Sequence, residues 1–245
     1  MRFFIEISYQ GTNYHGWQVQ PNANTVQGEI NKALSVILND KIEVTGAGRT
    51  DTGVHAKQMF AHFDFDSNPK DLIFKVNGFL PSDIAIHDIF QVKDDANCRF
   101  DALMRTYKYH IIQNKNPFKS MAYLVKKSLD IEAMNQSCKY IIGQQDFTSF
   151  SKLNTQTFTN NCNVMSAKWE VLDDQLVFTI KADRFLRDMV RALVGTLIDI
   201  GIGKMASDDM RKIIAAKDRS KSGVSVPAHA LFLFRVKYPD DIYIC

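Results

Sequence analysis

Arg2-Phe3-Phe4-Ile5-Glu6-Ile7-Ser8-Tyr9, the loop over 10–24 and Thr25-Val26-Gln27 stand in an order that sets the fold class. Phe3, Ile5, Ile7 and Tyr9 recur at every second position, the period of a strand with one buried face. Thr25 is a helix-capping residue type. Behind it Ile30, Ala33, Leu34, Ile37 and Leu38 fall at helical spacing, until Asn39-Asp40 ends the run. Working outward, a strand is predicted at 42–47, followed by the Gly-rich connection from Gly46 to Gly53. A strand over 57–65 comes next, with Met59, Ala61, Phe63 and Phe65 on one side. Pro69 is expected to open a helix carrying Leu72, Ile73, Val76 and Leu80, and 84–92 reads as a strand. The order is β-α-β-β-α-β, the ferredoxin-like pattern.

The rest of the chain repeats that order more loosely. Strands are predicted at 105–113, 163–172, 175–182 and 231–238. Helices are predicted at 130–142, with Ile131, Met134, Cys138, Ile141 and Ile142 inward, and at 184–200 and 207–216. The expected architecture is α+β: two ferredoxin-like halves, 1–104 and 105–245, packed together with a predominantly antiparallel sheet and an active-site cleft between them.

The 245 residues are 45% hydrophobic and 23% charged, ordinary for a globular chain able to bury a sizeable core. A net charge of +3 and a pI near 8.6 permit a polyanionic partner without demanding one. Cys98, Cys138, Cys162 and Cys245 lie far apart, with no C-x-x-C pair, which disfavours a zinc knuckle or a redox dithiol and suits a reducing cytoplasm. A strand beginning at residue 2 is expected to leave no room for a signal peptide, and no apolar run approaches membrane-spanning length.

Three segments carry candidate chemistry. In Gly46-Ala47-Gly48-Arg49-Thr50-Asp51-Thr52-Gly53-Val54-His55, glycines bracket an Arg and an Asp that share one side of an extended chain. A nearby cation favours an ionised carboxylate, which can serve as nucleophile or base. Taken alone, a turn Asp beside a surface ion pair is the commoner reading. In Arg105-Thr106-Tyr107-Lys108-Tyr109, aromatics alternate with cations, an arrangement that stacks bases and neutralises phosphates but also describes an ordinary strand. Arg184, Arg187 and Arg191, at i, i+3 and i+7, would form one basic helical stripe, or a solvated face partnered by Asp188. Lys217, Arg219, Lys221, Lys126 and Lys127 add positive charge of the sequence-independent kind. Trp17 suits either a core anchor or a loop aromatic. No Walker-type phosphate loop, strand-linked G-x-G-x-x-G or metal-ligand spacing is present, so nucleotide triphosphates, dinucleotides and metals are disfavoured.

Together and in order, these segments resemble the tRNA pseudouridine synthase A family. Gly48-Arg49-Thr50-Asp51-Thr52-Gly53-Val54-His55-Ala56 is similar to its catalytic loop. Tyr9, Gly11, Thr12, Tyr14, Gly16-Trp17-Gln18, Gln20-Pro21-Asn22 and Thr25-Val26-Gln27 resemble its opening segment. Arg105, Tyr107 and Tyr109 match its R-x-Y-x-Y strand, Phe185-Leu186, Met189-Val190-Arg191 and Gly195 its second-half helix, and Pro227–Leu233 its last strand. Thr52, Ala230 and Arg187 depart from the usual residues. The resemblance implies cofactor-free, metal-free isomerisation of uridine to pseudouridine at positions 38–40 of the tRNA anticodon stem-loop by a homodimer, on a base flipped out of its stack. It implies that Asp51 is the nucleophile, that Arg49 pairs with Asp51 or a phosphate, and that Tyr107 stacks on the base. Arg191 would pair with Asp51 and Leu231 would pack beneath the base. Arg184, Arg187, Lys217, Arg219 and Lys221 would meet the RNA backbone. Two rivals are an RNA-binding module without catalysis and a nucleoside hydrolase. The charged residue at 51 argues against the first, and the lack of a second carboxylate in the loop against the second.

Overall fold

The computed structural model describes residues 1–67, 71–152 and 158–244. In chain order the main elements are β1 (Arg2–Tyr9), α1 (Val26–Leu38), β2 (Thr45–Gly46), β3 (His55–Asp64), α2 (Leu72–Phe79), β4 (Ile84–Val92) and β5 (Met104–Ile112). There follow β6 (Tyr123–Leu124), α3 (Ile131–Cys138), β7 (Gly143–Asp146), β8 (Asn161–Leu172), β9 (Gln175–Ala182), α4 (Met189–Gly201), α5 (Asp209–Ala216) and β10 (Leu231–Lys237). They divide into two units, Met1–Leu103 with Phe232–Cys245, and Met104–Leu231.

In the first unit β1 lies between β4 and β3, antiparallel to both. The far edge of β3 is shared. Thr45 and Gly46 of β2 pair with His62 and Ala61, while Phe232 and Leu233 of β10 run parallel beside His55 and Ala56. The expected division at 104/105 assigned the last strand to the second half, whereas the structure returns residues from Phe232 onward to the first. The physical reason lies in the segment after β10. Tyr238 packs edge-on against Phe4 at 5.2 Å and Phe60 at 5.2 Å, and its hydroxyl donates to the Cys98 carbonyl at 2.5 Å. This cover also explains why Phe4 and Phe60 are buried beside the predicted Phe3, Ile5, Ile7 and Met59: β1 and β3 have two covered faces, not one.

Thr25 caps α1, its hydroxyl accepting from Gly28 N at 3.3 Å, and Asn39 ends the helix in the left-handed region at φ 50°. The strand predicted at 42–47 shrinks to two residues. The expected opening of α2 at Pro69 lies outside the described residues; Asp71, at φ 57°, precedes the helix.

In the second unit the order is β5-β9-β8-β7, antiparallel throughout, with β6 parallel on the outer edge of β5. β6 and β7 are two- and four-residue strands without a legible alternation. The Asn135 side chain clamps α3 to β8 by donating to the Trp169 carbonyl at 3.1 Å and accepting its N–H at 2.8 Å. Ile142, predicted inward, is 46% exposed because α3 ends at Cys138. A larger correction concerns α4, which begins at Met189 and not at 184. Asp188 adopts φ 69°, a conformation no right-handed helix continues through. Asp183 holds the preceding turn, its carboxylate accepting from the Arg184 and Asn163 amides at 2.6 and 2.8 Å. Arg184 and Arg187 therefore stand before the helix and form no helical stripe with Arg191.

His62 illustrates how tightly the first unit is closed. Its Nδ1 accepts the Cys98 amide at 3.3 Å, while the Cys98 thiol donates to the Thr45 carbonyl at 2.9 Å. Burial pushes the His62 pKa below the ordinary value, and the Arg2 charge acts the same way. Between that lowered value and about 6.5 the unfolded chain binds more protons than the folded one, so stability rises with pH across the window and is lost as pH falls through it. We expect the urea midpoint to drop between about pH 7.5 and about pH 5.5, and His62→Gln to flatten that drop. Equal drops in both proteins would assign the effect to another group.

Candidate active site

The segment from Gly46 to His55 is held in place by the loop that follows β1. Gly11 donates its amide to His55 Nδ1 at 3.0 Å, and a Cβ on Gly11 would sit 2.0 Å from the Val54 carbonyl oxygen. Gly16 adopts φ 92°, and a Cβ there would lie 2.5 Å from the Thr50 carbonyl oxygen. That same carbonyl accepts the Trp17 amide at 3.1 Å. Gly46 lies against the Trp17 ring, which is 2% exposed, so Trp17 is a core anchor. The Thr50 hydroxyl is bonded to the Tyr9 hydroxyl at 2.7 Å inside the unit. His55 stacks on Phe232 at 4.7 Å, a structural position.

Thr50 is therefore pinned inward between Arg49, which is exposed, and Asp51, which is half-buried. Past Asp51 the chain turns sharply, Val54 N donating to the Asp51 carbonyl at 3.1 Å, with Gly53 at φ 80°. The loop's outer end is anchored by Asp83, which accepts from the Tyr14 hydroxyl at 2.5 Å and from Asn13 Nδ2 at 3.2 Å. Burial, then this contact, raises the Tyr14 pKa. Gln27 completes the tie to α1, accepting Val19 N at 2.9 Å and donating to the Val44 carbonyl at 2.7 Å. The role of Asp83 carried no motif of its own in the sequence.

The second unit gathers the other candidates. On β5, Tyr107 is half-buried and meets Phe185 edge-on at 5.1 Å and 85°. Tyr109 is fully buried and donates to the Pro227 carbonyl at 2.9 Å, and Arg105 Nη1 donates to the Asp183 carbonyl at 2.7 Å. Arg191 donates from Nε to the Val226 carbonyl at 2.7 Å and pairs through Nη1 with Asp188 Oδ1 at 3.2 Å. Leu231 is 5% exposed at the start of β10. The basic residues separate by role. Lys217 pairs with Asp146 at 3.0 Å, Lys221 and Arg187 are exposed, and Arg184 is half-buried. Arg219 turns inward, donating to Ser222 Oγ, the Gly223 carbonyl and Ser225 Oγ at 2.8, 3.2 and 2.9 Å. Among the described residues no group of three or more His, Cys, Asp or Glu side chains is arranged to hold a metal, and no helix is long and apolar enough to cross a membrane.

The family model described as tRNA pseudouridine synthase matches residues 6–101 and 137–239. The chain belongs to the tRNA pseudouridine synthase family. It is 50% identical over 246 residues to "tRNA pseudouridine synthase A" of Parabacteroides distasonis, covering 99% of this chain and 98% of that one. Proteins of the same name from Bacteroides fragilis and Exiguobacterium sibiricum are 49% and 35% identical, each with 98% or more of both chains covered. The resemblance carried by the separate segments thus extends over the whole length. Of the departures from the pseudouridine synthase pattern, Thr52 is exposed, so its larger side chain enters solvent, while Ala230 is fully buried.

The interlock of the two loops predicts a contrast between glycines. Gly11→Ala would drive a methyl into the Val54 carbonyl and should destabilise the protein by about 1–3 kcal/mol, with loss of turnover. Gly48→Ala, whose Cβ meets nothing within 4 Å, should stay within about 0.5 kcal/mol of wild type. Urea titrations of both variants measure this, and equal stability of the two would refute the packing role of Gly11.

Proposed function

We propose that Asp51 is the nucleophile with which this chain, an isomerase acting on tRNA, converts uridine to pseudouridine at positions 38–40 of the anticodon stem-loop. The observation that carries the reading is the half-buried Asp51 at a turn whose neighbours Thr50 and Val54 are fixed by Tyr9, Gly11 and Gly16. A carboxylate on a rigid support loses little freedom on reaching the reacting geometry. The isomerisation breaks the bond between N1 and C1′, forms the bond between C5 and C1′, releases the C5 proton, and leaves N1 to take up a proton from water. It needs no net oxidant, so the reading includes no cofactor.

In this reading Arg49, exposed beside Asp51, meets a phosphate or the carboxylate itself. Tyr107 supplies a face for the flipped base, Arg191 a charge-assisted partner for Asp51, and Leu231 an apolar floor. Arg184, Arg187, Lys217 and Lys221 serve the RNA backbone, while Arg219 works chiefly as an internal brace. Each unit is read as a ferredoxin-like half. The edge order β4-β1-β3 with β2 beyond β3 supports this for the first. We further place the chain in the cytoplasm, which suits the buried free thiols of Cys98, Cys138 and Cys162. A homodimer is the proposed working form; a solution mass of one chain at all concentrations would remove it.

The deciding experiment uses anticodon stem-loop tRNA tritiated at uridine C5. Wild type should release tritium to water without added cofactor, and Asp51→Asn should retain tRNA binding with turnover down by about 10⁴-fold or more. Release by the Asn variant at the wild-type rate would remove Asp51 from the chemistry. Binding without release by wild type would favour an RNA-binding module.

A further inference from the structure

Asp188 stands where a helix N-cap is expected, yet its side chain makes no capping hydrogen bond to α4. Its carboxylate is directed at side chains instead. Oδ1 pairs with Arg191 Nη1 at 3.2 Å, and Oδ2 accepts from the Ser225 hydroxyl and lies 3.8 Å from Arg219 Nη2. The Asp188, Arg191 and Arg219 side chains are only 16, 22 and 22% exposed, so the interactions are poorly screened. Arg219 is tied to Ser222, Gly223 and Ser225, and Gly223 N donates to the Thr196 hydroxyl of α4 at 2.8 Å. Close approach of this segment to α4 depends on Gly195, where a Cβ would sit 1.9 Å from the Val224 carbonyl oxygen. The Val226 carbonyl that accepts Arg191 Nε is the far end of the same segment.

From this network we infer that Asp188 is a positioning residue: it fixes the plane of the Arg191 guanidinium and, through Ser225 and Arg219, the 219–226 segment that supplies the second contact. Held at both Nε and Nη1, the guanidinium cannot rotate without breaking a charge-assisted bond. Without the carboxylate's charge, Arg191 Nη1 loses the ion pair that holds it at 3.2 Å, and the guanidinium is free to turn about its Nε bond to the Val226 carbonyl. The inference rests on the proposed pairing of Arg191 with Asp51.

Asp188→Asn is the test, because Asn tolerates φ near 69° and has nearly the same shape, so charge changes while backbone strain does not. We expect kcat for tritium release to fall on the order of 10- to 100-fold with KM for tRNA within about 3-fold. In an Arg191→Lys background the same substitution should add less than about 3-fold, since the two residues act as one unit. A kcat within about 2-fold of wild type, or equal factors in both backgrounds, overturns the inference. A second readout does not use turnover. The Arg191 Nε–H resonance, assigned by its disappearance in Arg191→Lys, should be sharp and slowly exchanging in wild type and broadened or fast-exchanging in Asp188→Asn; an unchanged resonance overturns the inference. If wild type shows no turnover, the proposed function fails, and this resonance alone decides whether Asp188 holds Arg191.

Discussion

The first unit depends on one constraint, the approach of two backbones at Gly11 and Val54. Side chains of any size would hold the loop after β1 away from the Asp51 segment by at least a methyl group. With glycine at 11 and 16, carbonyl oxygens of the second segment occupy the space a Cβ would fill. The Gly11 and Trp17 amides then become donors to it. Once the backbones meet, Trp17 is buried against Gly46, Tyr9 reaches Thr50, and Asp51 stands at a turn closed by its own carbonyl, which accepts the Val54 amide.

The second unit solves a similar problem by similar means. Gly195 and Gly223 let α4 and the 219–226 segment come to backbone contact, and Thr196 bridges them. Here the surrounding groups are charged, and the desolvated Asp188 is balanced by two arginines and a serine. A buried carboxylate with a single partner would be poorly compensated; one with three is held at little net cost. Rigidity at Asp51 comes from glycine and aromatic packing, and at Arg191 from charge.

This difference explains what was legible in the sequence. The alternation of β1 and the stripe of α1 are short-range patterns, and both elements appear near their predicted bounds. β6 and β7, of two and four residues, carry no pattern of their own and exist only through their neighbours, while β2 is the two-residue remnant of a strand read as longer. The return of the last segment to the first unit rests on Tyr238 and its partners more than 130 positions away, beyond any window of local reading. Among the candidate residues, Asp51 and Arg49 of the first unit and Tyr107, Arg191 and Leu231 of the second came from the resemblance of separate segments. Asp83, which anchors the loop, gave no signal because a lone surface-type Asp resembles any other.

The helix predicted to start at 184 shows why arginine spacing misled. Arg184, Arg187 and Arg191 fit a helical period, but period alone is silent on where the backbone turns left-handed. Asp188 decides that, and Asp is among the few residue types that adopt such a φ readily. An Asp three residues before an Arg, adjoining a run of buried apolar residues, is therefore open to two readings: a solvated partner on a helix face, or a helix start whose carboxylate faces inward. The sequence around Ser222, Gly223 and Ser225 favours the second, because small residues there let Arg219 fold back and share the carboxylate. The basic residues of this chain are then not one population: Arg219, followed by Ser222, Gly223 and Ser225 that satisfy its guanidinium, braces the fold, whereas Lys221 stands exposed.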